Sequence, residues 1–294
     1  MTHPPHGLSR RAFVAASAGT LLSAGWKRPA PPGLAAREVV ARIQAAAGVP
    51  WREQTVDTFK AGDPDHVVTG IATTAMATLG VLQKAAAAGR NLVITHEPLF
   101  YATSDDPGPR ATDPVFLAKQ AFIAEHHLVV WRFYDHWLAR QPAELPRALA
   151  GTLGWSVRDG DNERLYSIPP TTLGAVARDV GARLQMRGGM RVVGTLDAPV
   201  RRVFVSAGAT DLASTVANLP HADLILSGEP REWEAVEYVA DTASAGAPRS
   251  LIAVGRIVSE EPGMRACAAW LRALLPDVPV EAIATGDPYW RPAV

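Results

Sequence analysis

Asn91-Leu92-Val93-Ile94-Thr95-His96-Glu97-Pro98 is the stretch on which the fold reading turns. Asn91–Thr95 carries an unbroken apolar centre with two β-branched residues, the pattern of a strand buried on both faces. It runs directly into an imidazole, a carboxylate and a proline. Upstream, Val67–Thr73 (VVTGIAT) is rich in β-branched residues and reads as a strand. Ala75–Ala88 between them reads as a helix stopped by Gly89. Downstream, a polar loop from Thr103 to Ala111 leads to Thr112 or Asp113 as the cap of a helix. That helix has Pro114 in its first turn and ends near Glu125. Leu128–Phe133 is the next strand. Strand, helix and strand in alternation predict an α/β fold with largely parallel sheets covered by helices.

The second half starts afresh, with a helix over Leu173–Gln185 and strands over Arg191–Gly194 and Val200–Ser206. A short helix at Asp211–Asn218, a strand at Asp223–Leu226 and a helix at Glu232–Ala240 follow. Leu251–Val254 is the last strand of this reading, and Pro262–Leu275 is a helix with proline in its first turn. The two halves echo each other. Val67 to Pro98 reads strand, helix, strand, then Glu97-Pro98; Val200 to Pro230 reads strand, helix, strand, then Glu229-Pro230. The expectation is two pseudo-equivalent α/β lobes, roughly 36–160 and 161–294, with Glu97 and Glu229 at corresponding strand ends.

Composition narrows the function classes. Lys+Arg and Asp+Glu stand at 29 each in 294 residues, which argues against a surface built for nucleic acid. One cysteine, Cys267, excludes an intrachain disulfide and a cysteine-built zinc site. Residues 1–33 hold Arg10, Arg11, Lys27 and Arg28 and no acid. Ser9-Arg10-Arg11-Ala12-Phe13-Val14 followed by an Ala-, Ser- and Gly-rich run is the layout of a twin-arginine export signal. Residues 1–35 are therefore expected to be signal and linker, and the protein to be exported to the periplasm or another extracytoplasmic space. The apolar run is too short to span a bilayer, which needs roughly 20 residues.

In open α/β sheets, ligands bind beyond the carboxyl ends of the strands. The polar residues expected there are His96 and Glu97, then Asp135 and His136, then Glu229 and Glu232, and finally Arg256, Ser259, Glu260 and Glu261. Imidazoles and carboxylates gathered at one rim form a ligand set for a divalent ion such as zinc, manganese or iron(II). An excess of carboxylates can hold two. His96, Glu97, Asp135 or His136, and Glu260 are the candidate metal ligands. His126 and His127 precede the Leu128 strand and belong to the opposite rim, while His66 and His221 are isolated in loops. Trp233 and Trp270 are read as packing residues. The turn Ser206–Thr210 opens a helix and offers backbone N–H groups to an anion. There is no Gly-Lys-Ser/Thr phosphate loop and no Gly-x-Ser-x-Gly elbow.

Asn91–Phe100 resembles the strand motif D-L-I-I-T-H-H-P-L-x-F of the Nif-three-like dinuclear-metal proteins, a family often labelled GTP cyclohydrolase I type 2. Gly255-Arg256-Ile257-Val258-Ser259-Glu260 stands where that family has Gly-His-Tyr-x-x-Glu, and Phe133–His136 stands near its His-Thr-Asn-Leu-Asp segment. The resemblance covers roughly residues 36 to 290. It implies that His96 and Glu260 are metal ligands and that Asp135 or His136 replaces the family aspartate. It also implies two α/β lobes with metal between them and a ring-shaped homo-oligomer, a hexamer. Two departures stand out: Glu97 replaces the second motif histidine, and Arg256, which cannot ligate, replaces the C-terminal one. One ion is therefore favoured over two.

These readings lead to an exported metal-dependent hydrolase acting on a small polar or heterocyclic substrate. Glu229 or Glu261 would be its general base and Arg256 would hold substrate charge. The alternative is a non-catalytic metal- or ligand-binding module in a ring assembly.

Overall fold

The computed structural model describes residues 33–290; the segment read as an export signal, residues 1–32, lies outside them. In chain order the elements are α1 (Ala36–Ala46), β1 (Phe59–Ala61), β2 (Ile71–Thr74), α2 (Leu79–Ala87), β3 (Leu92–Thr95), α3 (Pro114–Glu125), β4 (Val129–Arg132), α4 (Asp135–Ala139) and α5 (Glu144–Thr152). The second half continues with β5 (Leu165–Thr172), α6 (Leu173–Arg183), β6 (Arg191–Val193), β7 (Pro199–Thr210), α7 (Leu212–Asn218), β8 (Leu224–Pro230), α8 (Glu237–Ser244), β9 (Ser250–Ala253), α9 (Arg256–Leu274) and β10 (Val280–Ala282). Among the described residues no helix is long and apolar enough to cross a membrane.

Two five-stranded sheets organise these elements. The first has the order β1-β4-β3-β2-β10, the second β5-β7-β8-β9-β6. In the first sheet β10, β2, β3 and β4 are parallel and β1 is an antiparallel edge. In the second, β7, β8 and β9 are parallel between the antiparallel edges β5 and β6. Every residue of β2, β3 and β4 is buried, which is why these strands read as apolar runs with no alternation. The molecule is thus a mixed α/β fold with two sheets whose centres are parallel. Strand β10, from the last stretch of the chain, returns to the first sheet.

Several boundaries differ from the sequence reading for local reasons. Strand β2 starts at Ile71, because the backbone before it is committed elsewhere: the Val68 N–H donates to the Leu34 carbonyl and the Thr69 N–H to Asn91 Oδ1. Helix α2 begins at Leu79 instead of Ala75, because the Thr78 hydroxyl accepts the Val81 N–H and caps it. The short strands β1 and β10 carry too few residues to show a period, and β5 contains Pro169-Pro170 at a break in its ladder.

Helix α9 departs most from expectation and matters most for the site. It begins at Arg256, so Pro262 lies inside it and not in its first turn. Proline there removes the i→i−4 bond to Val258. The helix persists because tertiary packing holds both sides of the break. Met264, Cys267, Ala268 and Leu271 pack into the core of the first sheet, together with Ile71, Ile94 and Trp131. Val258 packs against the core of the second sheet. One helix therefore sits against both sheets and carries its first two turns past the strand ends of each. Trp270 packs between Trp137 and Phe133, as read from the sequence. Trp233 does not pack: it is 76% exposed.

Candidate metal centre

His96 follows β3 directly and is fully buried. Its Nδ1 lies 3.1 Å from the Phe133 carbonyl, an acceptor with no hydrogen to give, so Nδ1 carries the proton and donates. Nε2 is left as a lone pair, buried and without a hydrogen-bond partner. Burial, with Arg132 and Arg256 nearby, pushes the imidazole down to about 3, so it stays neutral at neutral pH. A neutral imidazole with one nitrogen fixed by a backbone carbonyl and the other free is the arrangement of a metal-binding histidine.

Glu97 and Glu260 face that lone pair. One ligand atom from each of His96, Glu97 and Glu260 lies within 4.8 Å of the others, and all three residues are buried. Glu260 comes from the second turn of α9 and is 1% exposed, with Oε2 lacking any hydrogen-bond partner. Burial and the neighbouring Glu97 charge push its carboxyl well above the ordinary range, against the pull of Arg256. Two glycines make room for this turn. At Gly208 (φ +75°) a Cβ would sit 2.7 Å from Glu260 Oε1, and at Gly228 one would fall 2.4 Å from Ser259 Oγ. Ser259 Oγ accepts the Gly208 N–H at 2.8 Å, which pins α9 to β7. That N–H is therefore committed, and the Ser206–Thr210 segment is part of β7 and not an anion-binding turn.

Arg256 occupies the centre of the acids. Its Nη2 is 2.9 Å from Glu97 Oε1, its Nη1 is 3.2 Å from Glu229 Oε2, and its Nε is 3.4 Å from Glu260 Oε1. Glu97, just beyond β3, and Glu229, near the end of β8, thus meet on one guanidinium. Beyond it opens a cavity of about 600 Å³ bordered by Glu229, Arg191, Arg256, Tyr289 and Trp290.

The other sequence candidates are directed elsewhere. His136 Nδ1 lies 2.7 Å from Asp57 Oδ2, its Nε2 accepts the Arg52 N–H at 3.0 Å, and its ring stacks on Trp51. Both nitrogens are engaged, so neither is free for an ion. Asp135 accepts from Thr55 Oγ1 and Val56 N and pairs with Arg52. Burial alone would raise its carboxyl, but these hydrogen bonds and the Arg52 charge outweigh that and hold it below the usual value. Asp135 and His136 therefore form a structural cluster around the start of α4 and correct the expectation that one of them joins the ion site. Glu261 accepts the Thr285 and Gly286 N–H groups and pairs with Arg265; it anchors the chain end and is not aimed at the triad. Glu232 pairs with Arg191 on the surface. Asp57, which holds the backbone N–H groups of Tyr134, Asp135 and His136, escaped the sequence reading because an isolated loop aspartate carries no local pattern.

His96, Glu97 and Glu260 fit a divalent ion on three counts. They supply one nitrogen and two carboxylate oxygens, a donor set that borderline divalent ions accept. The orphaned Nε2 and Oε2 are buried polar atoms that otherwise go unsatisfied. With Glu97, Glu229 and Glu260 ionised, the acids around Arg256 leave two negative charges in surplus, which one divalent ion would balance.

Fold and site together define a mixed α/β protein with a buried His/Glu/Glu group that could hold a cation at the strand ends. Residues 159–288 match the family model Duf34/NIF3 (NGG1p interacting factor 3). Solved structures share the fold. A hypothetical protein of Staphylococcus aureus superposes with a TM-score of 0.68 at 16% identity, covering 88% of this chain and 99% of its own. The Bacillus cereus protein related to NIF3 gives 0.67 at 14% identity, covering 89% and 100%. Reduced HcgD from Methanocaldococcus jannaschii gives 0.61 at 18%, covering 85% and 97%. No curated protein matches the sequence significantly.

Proposed function

We propose that this chain is a NIF3-family protein and a single-ion hydrolase, with His96, Glu97 and Glu260 as its metal ligands. The observation that carries this reading is the buried, unpartnered Nε2 of His96 facing two carboxylates within 4.8 Å. The match over residues 159–288 and the shared fold support the family part of the proposal. A bound divalent ion would supply Lewis acidity and bring the deprotonation of water toward neutral pH.

The residues around it have separable tasks. The Phe133 carbonyl fixes the His96 tautomer, so the imidazole presents a lone pair and no proton. Arg256 offers guanidinium N–H groups at the mouth, where a substrate oxyanion or carbonyl oxygen would accept them. Glu229, with its side chain 58% exposed at the same mouth, is the carboxylate placed to take a proton from an attacking nucleophile or return one to a leaving group. The cavity beside Arg256, with Tyr289 and Trp290 on its rim, suits a small polar substrate with a flat face.

Metal analysis of the purified protein, followed by a panel of C–N, C–O and P–O substrates with and without chelator, tests the proposal. Stoichiometric metal with chelator-sensitive turnover upholds it. Metal with no turnover on any substrate leaves the second reading, a non-catalytic binding module. That reading draws on Arg256, whose charge already serves three acids. Export through Arg10-Arg11 and a ring oligomer complete the proposal. Cell fractionation of an Arg10→Lys/Arg11→Lys variant and sedimentation of the mature chain check them; unchanged export or a monomer would remove each.

A further inference from the structure

Helix α3 carries one lysine, Lys119, on its buried face; the residue is 3% exposed. Its Nζ donates to the Leu99 carbonyl at 2.6 Å and lies near the Phe100 and Tyr101 rings. An ammonium has three N–H bonds, and this carbonyl is the only hydrogen-bond acceptor the structure gives it among the described residues. Lys119 lines a cavity of about 410 Å³, walled also by Thr78, Leu79, Pro98, Tyr101 and Thr103. Thr78 and Leu79 open helix α2; the Thr78 hydroxyl takes the Val81 N–H, which leaves the Leu79 and Gly80 N–H groups without an intrahelical acceptor.

A cluster of charges lies behind the Leu99–Phe100 backbone. Lys60 and Arg132 are buried and share one carboxylate, Asp105, at 3.4 and 3.3 Å. Asp105 also accepts the Leu99 and Phe100 N–H groups. Among the described residues no ion pair joins Lys119 to an acid. Asp105 is thus already shared by two cations, and Lys119 is left with a backbone carbonyl as its partner. Burial pushes Lys119 down to about 8, partly offset by Asp105. An arriving anion would meet a buried amine and a helix N-terminus.

We propose that this cavity is an anion-recognition subsite, in which Lys119 and the start of α2 hold the carboxylate or phosphate oxygens of a ligand. Met76 borders both this cavity and the one beside Arg256. The subsite stands on its own residues and does not require an ion at His96.

The chain has four lysines, Lys27, Lys60, Lys84 and Lys119, so acylation can be followed lysine by lysine. The purified protein is pulsed with acetic anhydride at increasing inorganic phosphate, and in parallel acetate, and each lysine is read by mass spectrometry. Protection of Lys119 by several-fold at saturating phosphate or acetate, with the exposed Lys84 unchanged, supports the subsite, and the effective anion tells which oxygen group it takes. Equal rates at all concentrations of both anions overturn it. Calorimetric titration adds a second measure: Lys119→Met should weaken the effective anion by about tenfold or more, and Lys119→Arg should retain it. Undiminished binding by a folded Lys119→Met protein overturns the proposal. The acylation assay is repeated in His96→Ala protein: persistent protection there keeps the subsite even if the metal reading fails, whereas loss of protection shows that the subsite depends on His96 and overturns the independent site.

Discussion

The guanidinium of Arg256 lies 2.9 Å from the Glu97 carboxylate, although one residue follows β9 in the second sheet and the other follows β3 in the first. This contact ties the two strand-end regions together at the proposed ion site, and it sets what should happen when either side is changed.

Removing the nitrogen ligand should empty the pocket. His96→Ala is expected to lower bound metal several-fold, and Glu260→Gln to do the same, as read by plasma mass spectrometry of purified protein. Unchanged metal in His96→Ala would make the imidazole a structural group and displace the centre from this rim.

Arg256→Met should have opposite effects on the empty and loaded protein. Without metal, Glu97 and Glu260 lose their cation while still buried, an effect on the order of 3–5 kcal/mol. With metal, the missing positive charge should tighten ion binding. Thermal melts with and without a divalent ion should show a variant that starts lower and gains more than the parent. Equal gains in both would mean that Arg256 does not share the ion's field.

The pH dependence of the metal-free protein has two limbs. His96 titrates near 3 when folded against an ordinary 6.5. Between those values the unfolded chain binds a proton that the folded chain refuses, so stability falls as pH drops from about 6.5 toward 3. Glu260 acts in the other direction. Its carboxyl is raised above the ordinary 4.5, so its stabilising contribution is whole below 4.5 and is lost as pH climbs through the raised value. Each limb has a limiting slope of about 1.4 kcal/mol per pH unit. Melting curves across pH in chelator should show His96→Gln flattening the acid limb and Glu260→Gln the other. Parent-like profiles in both variants would remove these groups as the cause.

Asp57→Ala should destabilise without touching the ion. The carboxylate holds three backbone N–H groups and the His136 ring, and losing it leaves buried donors unmet at about 1–3 kcal/mol each before relaxation. His136→Ala should likewise leave metal content unchanged. A drop in metal per folded molecule in either variant would bring that cluster back into the site.

How far the sequence revealed the fold and site depended on whether the signal was local. The strand before His96 was plain, because a strand buried on both faces must be apolar throughout. His96, Glu97 and Glu260 stood out as candidates because strand ends of parallel sheets collect ligands. What the sequence hid was direction. Asp135 and His136 have suitable side chains in a suitable place, but the distant Asp57, Thr55 and Arg52 turn them away. Pro262 misled the reading of α9, since a proline usually marks a helix start and here tertiary contacts carry the helix through it. The Lys60–Asp105–Arg132 cluster was illegible, because its members are separated by 45 and 27 positions and meet only through the sheet.

Helix α9 leans on both sheets at once and delivers Arg256 and Glu260 from its opening turns. A hinge between the sheets would have to tear that shared strut, so the donor spacing is set by the scaffold and not by a closing motion. At the proposed site, selectivity among ions of different radius would then be a matter of fixed gauge.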